Sequence, residues 1–289
     1  MKMQVFRLAC FMGIAIFSLH AVGEARPWLD PPPDQPDLDV ILKRTGAYCD
    51  RLGRSALYFV CREKIEEESQ YRIRDSMIRT HGYLPPAVQK HTWVYDYQLI
   101  KRENRFEEKR LLLKENGRFR HKDHARLETH FFYSQRSILG PVGLLRTENQ
   151  AGYDYRIIKI GRAAGRKAII LEVHPRDAAP DNPNYGKIWV DQENFSVIKI
   201  QVDADSLAGY SRPRRMGAAE APTVTHIYGI EKNGLRFPSE TTFSQKYDYG
   251  YRYRSVKKIL TGCCTKFTYS DYRFFTVEVD VKIKGDQTR

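Results

Sequence analysis

The stretch Tyr185–Val202, YGKIWVDQENFSVIKIQV, has the apolar alternation of a β-hairpin. Ile188 and Val190 alternate with Trp189 before a polar tip at Asp191–Asn194, and VIKIQV repeats the alternation after the tip. Because successive side chains of a strand point to opposite faces, this period of two predicts two paired strands with chemically different faces. Similar segments recur along the chain, so we predict one large antiparallel sheet.

The composition is that of a chain with a packed core. Apolar residues make up 42% of the 289 residues and aromatic residues 12%, which argues against wholesale disorder. This length suits one large β domain or two modest ones. Neither a repeat of fixed period nor an internal low-complexity segment divides the strand-like segments, so we predict a single domain over residues 38–289.

The start of the chain has the features of an export signal. A basic beginning precedes the apolar run Leu8–Val22, and small residues follow at Gly23 and Ala25. This pattern is typical of a secretory signal peptide, so we predict a signal over residues 1–25 and a Pro-rich leader over residues 26–37. The mature protein is then periplasmic or secreted. A retained anchor is the alternative, although the run is short for a membrane span of about 20 residues.

The chain is basic, with 48 Lys and Arg against 35 Asp and Glu and a net charge of +13. In the cytosol such a surface would point to nucleic acid. Outside it, the available polyanions are phospholipid headgroups, lipopolysaccharide and acidic wall polymers. The basic residues are dispersed, which is typical of solvated strand faces. We therefore predict no nucleic-acid partner and keep an anionic membrane surface as a candidate partner.

Four cysteines follow the predicted cleavage site: Cys49, Cys61, Cys263 and Cys264. An even count in an oxidising compartment favours disulfides, with three connectivities. We predict a Cys49–Cys61 disulfide that joins the end of a helix to the next strand. Neighbouring strand residues point to opposite faces, so a vicinal Cys263–Cys264 bridge would be strained. Free thiols, such a bridge, or pairing with the first two cysteines all stay open for this pair.

The clearest helical pattern covers Leu38–Leu52, with Asp37 as its cap and an end near Gly53. An antiparallel sheet has a face to bury, either on helices or on a ligand. This helix and the apolar stretch Ile138–Leu145 are the covers that the sequence offers. We therefore predict a mainly β (α+β) fold: a large curved, unclosed sheet whose concave face holds an apolar cavity under the helix and a loop or short helix. A core closed without a ligand is the alternative.

The candidate ligand contacts are apolar residues on one predicted strand and along the stretch that leads into the predicted cover. Trp93 and Tyr95 share one face of the strand at period two. We place a lid at Ile138–Leu145. The candidates for the cavity and its lid are Trp93, Tyr95, Phe131, Ile138, Leu139, Val142, Leu144 and Leu145.

Catalytic and metal-binding motifs are missing from the sequence. His121, His124 and His130 lie in a charged stretch and have no fixed third ligand nearby in the sequence. Strand alternation splits Glu66–Glu68 across two faces, and no G-x-S-x-G elbow occurs. We therefore predict a non-enzymatic protein without a cofactor or metal. An exported hydrolase of wall or lipid substrates is a minor alternative.

The order of a signal, a helix and a long antiparallel sheet resembles the periplasmic lipoprotein-carrier (LolA-like) superfamily, which also includes envelope-stress sensors and mycobacterial lipid carriers. Gly186–Asp191, GKIWVD, followed by Val197–Ile200, VIKI, is similar to a hairpin of that family in which a strand ends in Asp before a short turn. Tyr95-Asp96-Tyr97 with Phe106–Arg110 is similar to an early hairpin of such sheets.

This resemblance implies an unclosed β-barrel with helices across its mouth and a concave apolar face that holds acyl chains or a lipidated peptide. We accordingly expect an exported, non-enzymatic carrier or binder of lipid or lipoprotein acyl chains in the bacterial envelope. The alternative is an envelope sensor or interaction module that uses the same sheet to bind a protein partner.

Overall fold

One antiparallel sheet of eleven strands dominates the protein. The computed structural model describes residues 37–55, 59–73, 87–102, 105–132, 139–176, 185–207, 221–253 and 256–275. The helices are α1 (Leu38–Ser55) and α2 (Gly140–Leu145), with 3₁₀ turns at Thr147–Gly152 and Ala204–Leu207. The strands are β1 (Phe59–Ile73), β2 (Ala87–Arg102), β3 (Arg105–Glu115), β4 (Arg118–Lys122), β5 (Tyr153–Ala163), β6 (Arg166–Pro175), β7 (Gly186–Asp191), β8 (Val197–Val202), β9 (Thr223–Ile227), β10 (Ile230–Lys232), β11 (Leu235–Phe237), β12 (Glu240–Tyr253) and β13 (Val256–Phe274).

The strand order of the sheet is β4-β3-β2-β1-β13-β12-β9-β8-β7-β6-β5, and β10 pairs with β11 separately. Every neighbouring pair is antiparallel. Within the described ranges the edge strands β4 and β5 do not pair with each other, so the sheet is not closed into a barrel. The predicted fold class is thereby confirmed: a large unclosed antiparallel sheet with a helix at its N-terminal side.

One face of the sheet, which we call the covered face, carries the hydrophobic core. On β1 the residues at odd positions from Phe59 to Tyr71 are buried, and those at even positions are exposed or half-buried. The covered face forms one hydrophobic core with α1, α2 and residues 125–132. The opposite face carries ion pairs in solvent, such as Lys90 with Glu68 at 2.9 Å. The sheet therefore has the two chemically different faces that the alternation predicts.

The predicted hairpin is formed by β7 and β8, with Ile188 opposite Ile200. Gly186 is required where it enters, because its φ is +150° and an added Cβ would lie 2.3 Å from the carbonyl oxygen of Gln201. The tip differs from the prediction in one respect, since Asp191 is 1% exposed. Arg166 Nε donates to Asp191 Oδ2 at 2.5 Å, and a buried carboxylate with such a partner is satisfied away from water.

The predicted helix is confirmed and is longer than expected, because α1 continues to Ser55. Asp37 Oδ1 accepts a hydrogen bond from the backbone N–H of Asp39 at 3.0 Å, as the predicted cap should. The predicted apolar cover contains the short helix α2 from Gly140 onward. No described helix is both long enough and apolar enough to span a membrane. The predicted signal peptide and leader lie outside the described residues.

The predicted Cys49–Cys61 disulfide is not formed in the structure, where both residues are buried free thiols. Cys49 Sγ instead donates to the carbonyl oxygen of Pro141 at 3.5 Å, which ties α1 to α2. Cys263 and Cys264 are also free thiols; the first is buried and the second half-buried on the opposite face. Burial raises the pKa of the Cys263 thiol to about 12. All four thiols thus lie in the structure as separate side chains.

Candidate functional site: the covered face of the sheet

The centre of the covered face is an apolar, aromatic surface that runs across four neighbouring strands. Trp93 and Tyr95 of β2 are 2% and 0% exposed. Ile65 of β1 lies between Trp93 and Phe267 of β13 in the ladder, and Phe243 of β12 is buried on the same core. Large side chains at alternate positions of antiparallel strands stand close together on one face. They form here a continuous surface able to contact a long apolar group.

Residues 125–132, which we call the cover segment, lie on this surface without regular secondary structure. Phe132 stacks on Phe243 with ring centroids 4.7 Å apart and an interplanar angle of 2°. It meets Phe267 edge-on at 6.2 Å. The ring of Phe131 lies 6.1 Å from that of Tyr247. The cover segment therefore occupies the aromatic surface with its own aromatic side chains.

Glu67 of β1 holds the cover segment to the sheet. Its side chain is 2% exposed. The carboxylate accepts hydrogen bonds from the backbone N–H groups of His130 at 2.9 Å and Phe131 at 3.1 Å. His130 Nδ1 lies 2.7 Å from it, and the Thr265 hydroxyl donates to it at 3.3 Å. Since a hydrogen bond to a charged group contributes about 1.5–3 kcal/mol, Glu67 is a strong polar tie.

A second polar group on the covered face surrounds Arg110 of β3. Its guanidinium donates to both oxygens of Glu63, with Nε at 2.6 Å, and to Glu108 at 3.0 Å. Burial opposes the charge, but Glu63 and Glu108 raise the pKa of Arg110 well above its usual value. The backbone carbonyl of Arg110 accepts from the N–H of Ala125 at 3.0 Å. The beginning of the cover segment is thus joined to a fixed, charged part of the sheet.

The other part of the covered face lies under α1 and α2, which are joined to each other by side chain to backbone hydrogen bonds. Gln150 Nε2 donates to the carbonyl oxygens of Leu42 at 2.9 Å and Leu145 at 2.7 Å. Tyr155 of β5 donates to the carbonyl oxygen of Leu144 at 2.5 Å. Arg146 Nε pairs with Asp50 at 2.9 Å. These contacts fix α2 to both α1 and the sheet.

The structure places the sequence-predicted contacts in two groups. One group belongs to the aromatic surface and its cover segment, and the other to α2 and its first turn. Ile138 lies outside the described residues. The first group is Trp93, Tyr95 and Phe131, and the second is Leu139, Val142, Leu144 and Leu145.

Sequence reasoning missed the residues that attach the cover segment. Glu67 and Phe132 were not among the candidates, nor was Phe243. The alternation of β1 does contain a signal, because Glu67 is in phase with Cys61 and Ile65. A carboxylate in phase with apolar residues indicates a buried acid with partners.

The histidines of the stretch 118–130 do not form one cluster. His121 and His124 are exposed, whereas His130 is held by Glu67. Among the described residues no group of three or more His, Cys, Asp or Glu side chains is arranged to hold a metal ion.

Some open grooves lie elsewhere on the described surface. One, of about 610 Å³, lies between α1 and the β7–β8 turn and includes Arg44, Arg51 and Phe195. Another, of about 390 Å³, includes Gln70 and Cys264 together with Gln245 and Cys263, which are buried on the covered face. Trp93 and Tyr95 of the aromatic surface are 2% and 0% exposed, so a ligand reaches them only if a cover moves.

The scan against family models found no match, and neither did the search of curated proteins. Among solved structures, the chain is similar to a LolA superfamily protein from Nitrosomonas europaea, with 13% identity, a TM-score of 0.34, and coverage of 84% of this chain and 96% of that one. A DUF1329 family protein from Desulfovibrio piger has 11% identity, a TM-score of 0.34, and coverage of 86% and 95%. The MucA/MucB complex of Pseudomonas aeruginosa has 11% identity, a TM-score of 0.22, and coverage of 81% and 99%.

The superfamily that the GKIWVD hairpin resembles is therefore represented among the similar structures. At these identities and TM-scores, the similarity does not assign an activity, a ligand or a partner to this chain.

Proposed function

We propose that this protein is an exported, non-enzymatic binder or carrier of the acyl chains of a lipid or lipoprotein in the bacterial envelope. The observation that carries the proposal is the aromatic surface of the sheet under an irregular cover segment. A helix or second sheet over such a surface would satisfy its own backbone, whereas the cover segment has its backbone tied to Glu67 and Arg110. For the cover segment to open, the hydrogen bonds at Glu67 and Arg110 have to break.

The energetics of exchange favour an acyl chain. Burying one methylene gains about 0.8 kcal/mol, so ten methylenes gain about 8 kcal/mol. Burying the rings of Phe131 and Phe132 gains about 3–6 kcal/mol in total on the same scale. An acyl chain that takes the place of these rings against Phe243, Phe267 and Tyr247 therefore offsets the loss of their burial, and the remaining free energy favours opening of the cover segment. Binding is passive and needs no chemical step.

We place the moving part at the cover segment, although the sequence predicts a lid at Ile138–Leu145. The described part of that stretch, α2, is bonded to α1 and β5 through Gln150, Tyr155 and Cys49. Several such bonds would have to break together for α2 to leave the sheet. The residues of α2 then act as the fixed wall of the site.

Native mass spectrometry of the protein purified from the envelope of its host tests this proposal. We expect masses that exceed the apoprotein by one lipid or acylated peptide, and uptake of added acyl ligand by lipid-free protein. A lipid-free mass together with no uptake of acyl ligands contradicts the proposal. A stable protein partner recovered by crosslinking, with no acyl ligand, would instead favour the sensor or interaction module.

A further inference from the structure

Two buried polar atoms, Trp93 Nε1 on the sheet and Thr129 Oγ1 in the cover segment, have no hydrogen-bond partner within the described chain. Trp93 is 2% exposed and Thr129 is 7% exposed. An indole N–H is a donor without acceptor capacity, and a hydroxyl is both donor and acceptor. Buried polar atoms in native proteins are nearly always hydrogen-bonded, so each exception calls for a physical reason.

The two atoms belong to the same place in the fold. Thr129 precedes His130, whose ring centroid lies 6.2 Å from that of Trp93. The indole is also stacked on His91, with ring centroids 5.7 Å apart and an interplanar angle of 17°. The neighbouring carboxylate of Glu67 is already surrounded by His130, Phe131 and Thr265. An indole N–H of the sheet and a hydroxyl of the cover segment thus belong to the same region of the covered face, beside the aromatic surface.

We infer that Trp93 Nε1 and Thr129 Oγ1 form a polar subsite for the carbonyl oxygen of an acyl ester or amide, at the head of a chain that lies on the aromatic surface. This inference rests on the proposed acyl-binding function and adds the chemistry of the head. A carbonyl oxygen accepts two hydrogen bonds and therefore matches one indole N–H and one hydroxyl. In the closed protein both donors lack a hydrogen-bond acceptor, so the carbonyl oxygen of a bound ligand supplies the two hydrogen bonds that are missing.

The chemical group at the head of the chain decides which ligands form these two hydrogen bonds. A pure hydrocarbon or an ether-linked chain covers the same apolar area but leaves the two donors unpaired. Sites built to hydrogen-bond a ligand oxygen discriminate against an analogue that lacks it, because the buried polar groups stay unpaired. The subsite therefore selects acyl chains from alkyl chains of equal length.

A pair of lysolipids that differ in this one group provides the test: palmitoyl-lysophosphatidylcholine, with an ester carbonyl, and its hexadecyl ether analogue. Calorimetric titration of the full-length mature protein measures both affinities. We expect the ester to bind about tenfold more tightly, which corresponds to about 1.4 kcal/mol. Trp93→Phe keeps an aromatic ring without the N–H and should bring the ratio of the two affinities close to one. Thr129→Val, which is isosteric, should reduce the ratio independently.

Thr45→Val is the matched control, because Thr45 Oγ1 is another buried hydroxyl without a partner in the described chain but belongs to α1. This variant should keep the wild-type ratio. Equal affinities of ester and ether in the wild type overturn the inference and leave the acyl-binding function standing, as does a ratio that survives both substitutions. A bridging water that satisfies the two atoms with and without ligand predicts those same equal affinities. If neither lysolipid nor an N-palmitoyl peptide binds, both the inference and the acyl-binding function are overturned.

An N-palmitoyl peptide in the same titration distinguishes the source of the carbonyl. Tighter binding of the peptide than of the lysolipid supports a lipidated protein as the ligand, and the reverse order supports a phospholipid. Binding of the peptide should also weaken in Trp93→Phe. If it is unchanged there and in Thr129→Val, the amide carbonyl does not use this subsite.

Discussion

Glu67 is 2% exposed, whereas its neighbours Glu66 and Glu68 lie on the opposite face and pair with Lys64 and Lys90 in solvent. Three successive glutamates therefore have two different environments. The period of two in the strand decides the face, and the partners on that face decide whether the charge is tolerated there. At Glu67 those partners are backbone N–H groups of the cover segment, so a single side chain links the sheet to that segment.

Glu67→Gln should loosen the cover segment without removing the side chain. The amide keeps the shape but loses the charge that strengthens the bonds from His130 and Phe131. We expect the free energy of unfolding to fall by about 2 kcal/mol and amide hydrogen exchange of residues 125–132 to accelerate about tenfold or more. Glu66→Gln is the matched control, since an exposed pair contributes about 0–1 kcal/mol. Equal exchange in the two variants would argue against this role of Glu67.

His226 on β9 predicts a pH dependence of stability. Its ring is buried beside the Thr241 hydroxyl, at 2.9 Å, and burial lowers its pKa to about 4 from 6.5. The unfolded chain takes up a proton below pH 6.5 while the folded protein does not. Stability is therefore fully present above pH 6.5 and is lost as the pH falls towards 4, by roughly 3 kcal/mol in total.

Denaturant unfolding at several pH values measures this loss, and His226→Asn is the comparison. The variant cannot titrate at this position, so its stability should fall less between pH 6.5 and pH 4. If the free energy of unfolding falls equally in the two proteins between pH 6.5 and pH 4, His226 is not the source of the loss.

At the scale of elements, the local pattern of apolar residues was enough to predict β7–β8 and α1. The hairpin follows from the alternation around Trp189, and the helix from apolar positions such as Ile41 and Tyr48, which are buried on one side of α1. These patterns work because the sheet and the helix each bury one face, and burial of that face is the largest favourable contribution. The unclosed sheet was predicted because the sequence contains many such strands and few helices to cover them.

The cover segment was not predictable in the same way. Its residues lack periodicity, and its attachment depends on Glu67, which lies 63 positions before His130 in the sequence. The burial of Glu63 likewise depends on Arg110, 47 positions away. Asp191 was expected in a polar tip and is buried, because Arg166 reaches it from the neighbouring hairpin. The positions of the cover segment, Glu63 and Asp191 depend on contacts between residues far apart in the sequence, and such contacts cannot be inferred from a single sequence.

Gln150 tests the assignment of α2 as a fixed wall. Gln150→Ala removes the two hydrogen bonds that join Leu42 of α1 to Leu145 of α2. We expect the free energy of unfolding to fall by about 1–3 kcal/mol, with faster hydrogen exchange in α1 and α2 but not in residues 125–132. Gln89→Ala, at an exposed position of β2, is the control. Faster exchange of residues 125–132 in Gln150→Ala would show that the two covers move as one unit.

At the scale of the whole molecule, the covered face carries two kinds of cover, one helical and one without regular secondary structure. The helices α1 and α2 lie over one part of the sheet, and the cover segment lies over the aromatic surface of β2, β1, β13 and β12. Across β1, β2, β12 and β13 the opposite face carries ion pairs in solvent, such as Lys266 with Glu240 at 2.8 Å. We therefore place the proposed acyl ligand on the covered face, beneath the cover segment.

Quenching of tryptophan fluorescence by a brominated acyl chain tests this central claim most directly. Trp93 lies on the covered face, whereas Trp189 lies on the opposite face with Lys199 Nζ 4.3 Å from its ring centroid. Two variants, each with one of these as its sole tryptophan, are titrated with dibromostearate. The account predicts saturable quenching of Trp93 and little of Trp189. Bound ligand that leaves Trp93 unquenched, or quenches both equally, would contradict it.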